Sequence, residues 1–332
     1  MVVWFIWFIK YFLKLILTLL NSTIMQKLKS KLQYFFIALL MAGVFTSCSK
    51  DDEPVVDSKN IVRTAVSDPQ FSILVSALQK ANLVTALEGT GPFTVFAPTN
   101  TAFNTLFTQL GVSGIDDLSA EILTPILLNH VVSGSVKSSD IATGYANTLN
   151  NSGPGQNFIK VFIEKTTSVK VDGSVVTTAD IMASNGVIHV IDKVIIPASV
   201  VNHAINNPGF STLVQAVLKA DLASALSATG PFTVFAPTNE AFEKLFTVLG
   251  VSGIADLSAD QLTPILLYHV LAGNVTASQV MSGSAPTLKS GSNIDVVVTG
   301  TNVKLNGNSN VIATDVQGTN GVIHAIDTVL LP

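Results

Sequence analysis

The strongest constraint on the fold of this 332-residue chain is an internal duplication. Residues 68–134 align without gaps on residues 207–273, at an offset of 139, and 46 of the 67 aligned positions are identical. Solenoid repeats have periods of about 20–50 residues, so a period this long indicates duplication of a whole domain. We therefore expect two tandem domains, at 61–197 and 198–332, joined by a short linker.

Each copy has a mixed pattern of secondary structure. Residues 71–87 carry apolar side chains at helical spacing, and residues 119–131 indicate a second helix that Ser119 can cap. Residues 93–96 are a short run typical of a β-strand. Val169-Lys170-Val171 alternates and is followed by Asp172-Gly173, a hairpin signal. Helices come first and hairpins last, which predicts an α+β fold.

The amino-terminal region predicts export. Residues 25–47 run from a lysine-rich stretch through an apolar run to small residues, which is the layout of a secretory signal peptide. Cys48, the only cysteine, stands at the expected cleavage point and resembles the lipidated cysteine of a bacterial lipobox, although Phe45 replaces the usual leucine. The alternative is an ordinary membrane helix with an incidental thiol. We expect Cys48 to carry lipid.

The segments on either side of the signal peptide, residues 1–24 and 48–60, predict their roles less specifically. Residues 48–60 are interpreted as a solvated tether, and the acidic residues 51–53 resemble an export signal for the outer face of some Gram-negative lipoproteins. Residues 1–24 are apolar but contain two lysines, and a complete signal peptide begins again at Met25. They are interpreted as the product of a misassigned start, or else as a membrane segment.

Composition excludes several classes of function. The first 47 residues contain five lysines and no acid, so the remainder has 13 basic and 22 acidic side chains and a net charge of −9. Nucleic-acid binding requires a basic surface, which this balance argues against. A single cysteine excludes a disulfide framework and a cysteine-based zinc site within one chain.

Three motifs, each present twice, resemble those of the fasciclin domain. They are FTVFAPTN followed by Ala-Phe, a helix ending in His-Val, and NGVIH followed by Val-Ile-Asp or Ala-Ile-Asp near a terminal proline. The resemblance covers both repeats. It implies two fasciclin-like domains, each a twisted β-sandwich wedge with flanking helices, and a family known for cell adhesion that generally lacks catalytic activity.

Four of the five histidines occupy repeated positions. His130 and His269 share a helical face with apolar residues, and His189 and His324 lie in apolar strands. We expect all four to be structural, with the helix histidines buried and the strand histidines half-buried. Neither a metal-ligand motif, a nucleophile elbow nor a phosphate-binding loop is found, so no metal, cofactor or catalytic residue is predicted.

The resemblance also implies a candidate binding position. In some fasciclin domains a Tyr-His pair at the end of this helix is linked to integrin recognition. The second copy has Tyr268-His269, whereas the first has Asn129-His130. The alternative for Tyr268 is packing on the helix face.

The leading functional hypothesis is a non-enzymatic adhesion or matrix-binding lipoprotein. It would be anchored in the outer membrane of a Gram-negative bacterium, exposed on the cell surface, and would bind an extracellular protein or polysaccharide. One alternative is a glycan-binding accessory protein in polysaccharide capture or uptake, which the position of both tryptophans in residues 1–24 disfavours. The other is a hydrolase with an unrecognised site.

Overall fold

A computed structural model describes residues 59–332, which form two domains of the same α+β architecture. The predicted fold class is therefore confirmed. The predicted signal peptide and Cys48 lie outside the described residues. Among residues 59–332, no helix combines the length and the apolar character needed to cross a membrane.

The first domain begins with helices, as the sequence predicts. Its five helices are α1 (Ile61–Val66), α2 (Ser72–Lys80), α3 (Val84–Glu88), α4 (Asn100–Leu110) and α5 (Ala120–Asn129). Its seven strands are β1 (Phe93–Pro98), β2 (Val131–Ser133), β3 (Gly144–Asn147), β4 (Lys160–Lys165), β5 (Val169–Val171), β6 (Ser174–Ala183) and β7 (Gly186–Ile191).

The second domain repeats this order. Its helices are α6 (Val200–Asn206), α7 (Ser211–Lys219), α8 (Ala223–Leu226), α9 (Asn239–Leu249) and α10 (Ala259–Tyr268). Its strands are β8 (Phe232–Pro237), β9 (Val270–Ala272), β10 (Gly283–Pro286), β11 (Asn293–Thr299), β12 (Asn302–Leu305), β13 (Ser309–Gly318) and β14 (Gly321–Ile326). Six short 3-10 helices occur between the described elements: Pro69–Phe71, Ile115–Asp117, Pro154–Gln156, Pro208–Phe210, Ile254–Asp256 and Ala277–Gln279.

Each domain has one seven-stranded sheet. The strand order is β2-β1-β7-β6-β5-β4-β3 in the first domain and β10-β11-β12-β13-β14-β8-β9 in the second. The central pairs β1–β7 and β8–β14 are parallel, and the other pairs are antiparallel. The register between β6 and β7 shifts twice, as does that between β13 and β14. Such irregularities bend a sheet.

The central strand β1 is buried on both faces. Val95 and Ala97 pack into a core shared with the helices, whereas Phe96 points to a second core enclosed by β4, β5 and β7. The second domain has the same two cores. This arrangement explains why residues 93–98 are continuously apolar or small rather than alternating.

The helical pattern at 71–87 forms two helices rather than one. Helix α2 ends at Lys80 and α3 begins at Val84, because Asn82 adopts a left-handed conformation with φ of 55°. The hairpin at Asp172-Gly173 forms as expected, with φ of 46° and 79° at the two turn residues.

Candidate functional site

His130 joins the end of a helix to the chain that follows the last strand of the first domain. It is 2% exposed and follows α5 directly. Nε2 accepts a hydrogen bond from the Ile195 amide at 2.8 Å, so the ring proton lies on Nδ1, which donates to the Ile126 carbonyl at 2.8 Å. Both ring nitrogens are therefore occupied by backbone groups.

His269 makes the same two bonds in the second domain. Nδ1 donates to the Ile265 carbonyl at 2.8 Å, and Nε2 accepts from the Leu330 amide at 2.9 Å. Burial lowers the pKa of His130 and of His269 to about 4, more than the hydrogen bond to the helix carbonyl raises it. Both rings are consequently neutral near pH 7.

The side chains that precede these histidines are also inaccessible. Tyr268 is 5% exposed, and its hydroxyl donates to the Asn293 carbonyl at 2.8 Å and accepts from the Asn306 side chain at 2.9 Å. Asn129 is fully buried and accepts a long bond of 3.4 Å from the Thr148 hydroxyl. We propose a packing role for both residues, since neither side chain reaches the surface.

The strand histidines connect the bulged strands to a neighbouring loop. His189 accepts from the Asp180 amide at 3.3 Å through Nδ1 and donates to the Val136 carbonyl at 2.9 Å through Nε2. Its ring stacks on Phe96 with centroids 5.6 Å apart. His324 repeats this arrangement in the second domain, and burial lowers its pKa. We propose that both are structural.

Asn185 is a structural residue whose role the sequence reasoning missed. Its Oδ1 accepts from the Ile61 amide at 2.9 Å, and its Nδ2 donates to the carbonyls of Leu87 and Gly89, both at 2.8 Å. Asn320 makes the matching three bonds in the second domain. The sequence does contain a feature that could have identified this asparagine, because it precedes the repeated Gly-Val-Ile-His motif in both copies.

The two domains contact each other through side chains that the sequence reasoning did not single out. Tyr145 on β3 accepts a hydrogen bond from the Asn207 side chain at 3.1 Å, and its ring lies edge-on to His203 with centroids 5.8 Å apart. Burial raises the pKa of Tyr145 to about 12 and lowers that of His203 to about 4. Tyr145, His203 and Asn207 therefore form part of the contact between the domains.

Asp172 lies beside this contact with an unusual pKa. Burial raises it to about 7, and hydrogen bonds from the Phe162 amide and the Asn206 side chain offset that effect only in part. The corresponding residue in the second domain is Asn306, which cannot ionise. The first domain thus carries a titratable group where the second has a neutral amide.

The second domain has a surface cleft of about 260 Å³ between α9, the β12–β13 turn and the last residues of the chain. Val248 and Leu331 line it and are 79% and 49% exposed. Lys244 also lines the cleft and donates to the Asp327 carbonyl at 2.8 Å. A contiguous apolar patch rimmed by polar groups is typical of contact surfaces for macromolecules.

Residues 59–332 contain no group of three or more His, Cys, Asp or Glu side chains that could hold a metal ion. Within the same residues, both ring nitrogens of His130, His189, His269 and His324 are hydrogen-bonded to backbone groups.

Comparison with known proteins agrees with the resemblance to the fasciclin domain. The family model of the fasciclin domain matches residues 69–197 and 208–332. Protein sll1483 of Synechocystis sp. is 48% identical over 134 residues, covering 40% of this chain and 73% of that protein. Human periostin is 31% identical over 252 residues, and the pig transforming growth factor-beta-induced protein ig-h3 is 33% identical over 253 residues.

The matches to the animal proteins cover 74% of this chain but only 29% of periostin and 35% of ig-h3. Among solved structures, the chain is similar to a FAS1 domain pair from the insect cell adhesion molecule Fasciclin I, with 21% identity and a TM-score of 0.47. That similarity covers 82% of this chain and 96% of the insect chain. Because the family model accounts for both repeats, the chain belongs to the fasciclin-domain family, of which it carries two tandem domains.

Proposed function

We propose that this protein is a non-enzymatic adhesion protein of the cell surface that binds an extracellular matrix protein. The observation that carries the proposal is the presence of two fasciclin domains, which together account for nearly all of the described residues. The hydrogen bonding of His130 and His269 supports a scaffold role for both, because each ring is buried and each ring nitrogen is bonded to a backbone group.

The cleft on α9 is the surface that we assign to the partner. Val248 is the most exposed of its apolar residues, and the corresponding residue of the first domain is Gln109. A few well-packed residues near the centre of a contact contribute most of its affinity. We therefore place the principal contact on the second domain, which is joined to the first by the hydrogen bond from Asn207 to Tyr145, among other contacts.

The proposed location follows from the sequence upstream of the domains. A lipid on Cys48 would tether both domains to the outer membrane through the acidic residues that follow. Mass spectrometry of the protein isolated from its own cells should find Cys48 as the lipidated first residue and no peptide from residues 1–47. Recovery of one unmodified peptide spanning residues 25–60 would contradict the anchor.

Binding is tested with the full chain on arrays of matrix proteins and glycans. We expect saturable binding to matrix protein, with no product released into solution during prolonged incubation. Val248→Gln should weaken this binding at least tenfold, because it replaces the apolar anchor by the residue of the first domain. Gln109→Ala, at the matching exposed position of α4, is the control and should bind like the unmodified chain.

Two outcomes distinguish the alternatives. Binding confined to glycans would favour the polysaccharide-capture hypothesis over matrix adhesion. Steady release of cleaved ligand would overturn the non-enzymatic proposal. Weak dependence of binding on salt is also expected, because the net charge of −9 beyond residue 47 provides little attraction for polyanions.

A further inference from the structure

The second domain contains an apolar cavity of about 80 Å³ between its helices and the central strands. Its walls come mainly from α6, α7, α8 and β8, and His269 is the only lining residue that is not apolar. Both ring nitrogens of His269 are already bonded to backbone groups. The cavity therefore offers no free polar partner to a ligand.

The matching cavity in the first domain has a volume of only about 20 Å³. The internal duplication identifies the cause, because three second-domain side chains at this place are smaller by one or two carbon atoms. They are Val200 in place of Ile61, Val217 in place of Leu78, and Ala223 in place of Val84. Corresponding helices and strands line the cavity in both domains, and the smaller side chains leave more room in the second.

The opening of the larger cavity is also more apolar. Ile205 and Leu218 line it and are 56% and 62% exposed. The first domain has Val66 and an exposed Gln79 at these positions. An exposed leucine above an apolar cavity gives a ligand a continuous apolar path from solvent to the interior.

The size and chemistry of the cavity define the ligand. Dry apolar cavities of about 150 Å³ take up benzene, so a cavity of about 80 Å³ suits a narrower group. A charged or hydroxylated group would be buried there without a partner. We propose that the second domain, and not the first, binds the end of an unbranched aliphatic chain, whose polar head remains in solvent beyond Ile205 and Leu218.

This site is separate from the proposed adhesive cleft and does not depend on it. The test is methyl-detected NMR of the full chain, titrated with hexan-1-ol and separately with hexane-1,6-diol. Hexan-1-ol should cause saturable shifts in cavity methyl groups such as those of Val217 and Leu213, whereas Leu78 and Leu74 of the first domain provide the internal reference. The diol should bind at least tenfold more weakly, because either end would bury a hydroxyl group without a partner.

Variants that exchange the residues between the domains are the decisive controls. Val200→Ile, Val217→Leu and Ala223→Val together should abolish the saturable shifts in the second domain. The reciprocal set, Ile61→Val, Leu78→Val and Val84→Ala, should create hexan-1-ol binding in the first domain.

Thermal unfolding of both sets establishes that they fold. If the filled set does not fold, the gain of binding by the reciprocal set decides the question. Absence of saturable shifts in the unmodified second domain, equal shifts in both unmodified domains, or undiminished binding by a folded filled variant would overturn the proposal.

Discussion

Replacement of His130 by alanine tests whether this histidine is a structural link. The imidazole joins the Ile126 carbonyl at the end of α5 to the Ile195 amide, and it is almost fully buried. Alanine removes both bonds and leaves the two backbone groups without this partner. The loss should therefore appear as lower stability of the first domain, with its surfaces unchanged.

The magnitude follows from the two orphaned groups. A buried donor or acceptor left without a partner costs about 1–3 kcal/mol. Two such groups, together with the lost packing of the ring, give an expected destabilisation of about 2–5 kcal/mol. That is a large part of the total stability of a typical domain, which is about 5–15 kcal/mol.

Urea unfolding of the full chain at pH 7.5 measures this effect, with the two domains followed separately by hydrogen exchange of their amides. His130→Gln is the conservative variant, because its side-chain oxygen can still accept from the Ile195 amide, and it should lose less stability than alanine. The exposed Gln109→Ala should change stability by less than about 0.5 kcal/mol. If His130→Ala unfolds like the unmodified chain, or if it abolishes partner binding without loss of stability, the structural interpretation is wrong.

Three further predictions concern titration and backbone geometry. The pKa of Asp172 is raised to about 7 from 3.8, so the fold favours the protonated carboxyl and the unmodified chain loses stability as the pH rises from 5 to 8. Asp172→Asn should escape this loss, and its stability relative to the unmodified chain should therefore be greater at pH 8 than at pH 5. An equal difference in urea midpoint at the two pH values would contradict this. The free energy of unfolding of Asp172→Asn should fall as the pH is lowered from 6.5 to 4, because the unfolded state binds more protons than the folded state in that range. The loss should be up to about 1.4 kcal/mol per pH unit for each buried histidine of lowered pKa, and a urea midpoint that does not change with pH would refute the prediction. These histidines are His130, His203 and His269. Gly186→Ala should abolish folding of the first domain, because a Cβ would lie 2.0 Å from the Phe93 carbonyl oxygen. Gly114→Ala is the control and should unfold thermally like the unmodified chain, because the space around Gly114 is open. Similar thermal unfolding of the two variants would refute the argument.

Local patterns in the sequence predict much of the fold. The duplication is visible as repeated motifs, and the hairpin at Asp172 is predicted by its own turn residues. The strands that begin at Gly186 and Gly321 follow an Asn-Gly pair that is repeated in both copies. The break between α2 and α3 is less visible, because the apolar spacing continues through it. Asn82 is the only local indication, since asparagine tolerates the left-handed conformation.

The contact between the domains could not be predicted in the same way. Tyr145 lies in the region where the two copies diverge in length, so the duplication gives no guide to its role. Its partner Asn207 belongs to the other domain, and their meeting depends on how the two domains pack. The cavity of the second domain likewise results from small differences in side-chain volume, such as Ala223 for Val84, which hydrophobic patterning does not register.

Adhesion of whole cells tests the central proposal most directly. Cells that display the full chain should attach to a surface coated with matrix protein and resist flow, and cells that display Val248→Gln at the same density should detach at least tenfold faster. Cells that produce Cys48→Ser should not attach, because the protein would lack its proposed lipid anchor. Equal retention of cells with and without the full chain would contradict the account.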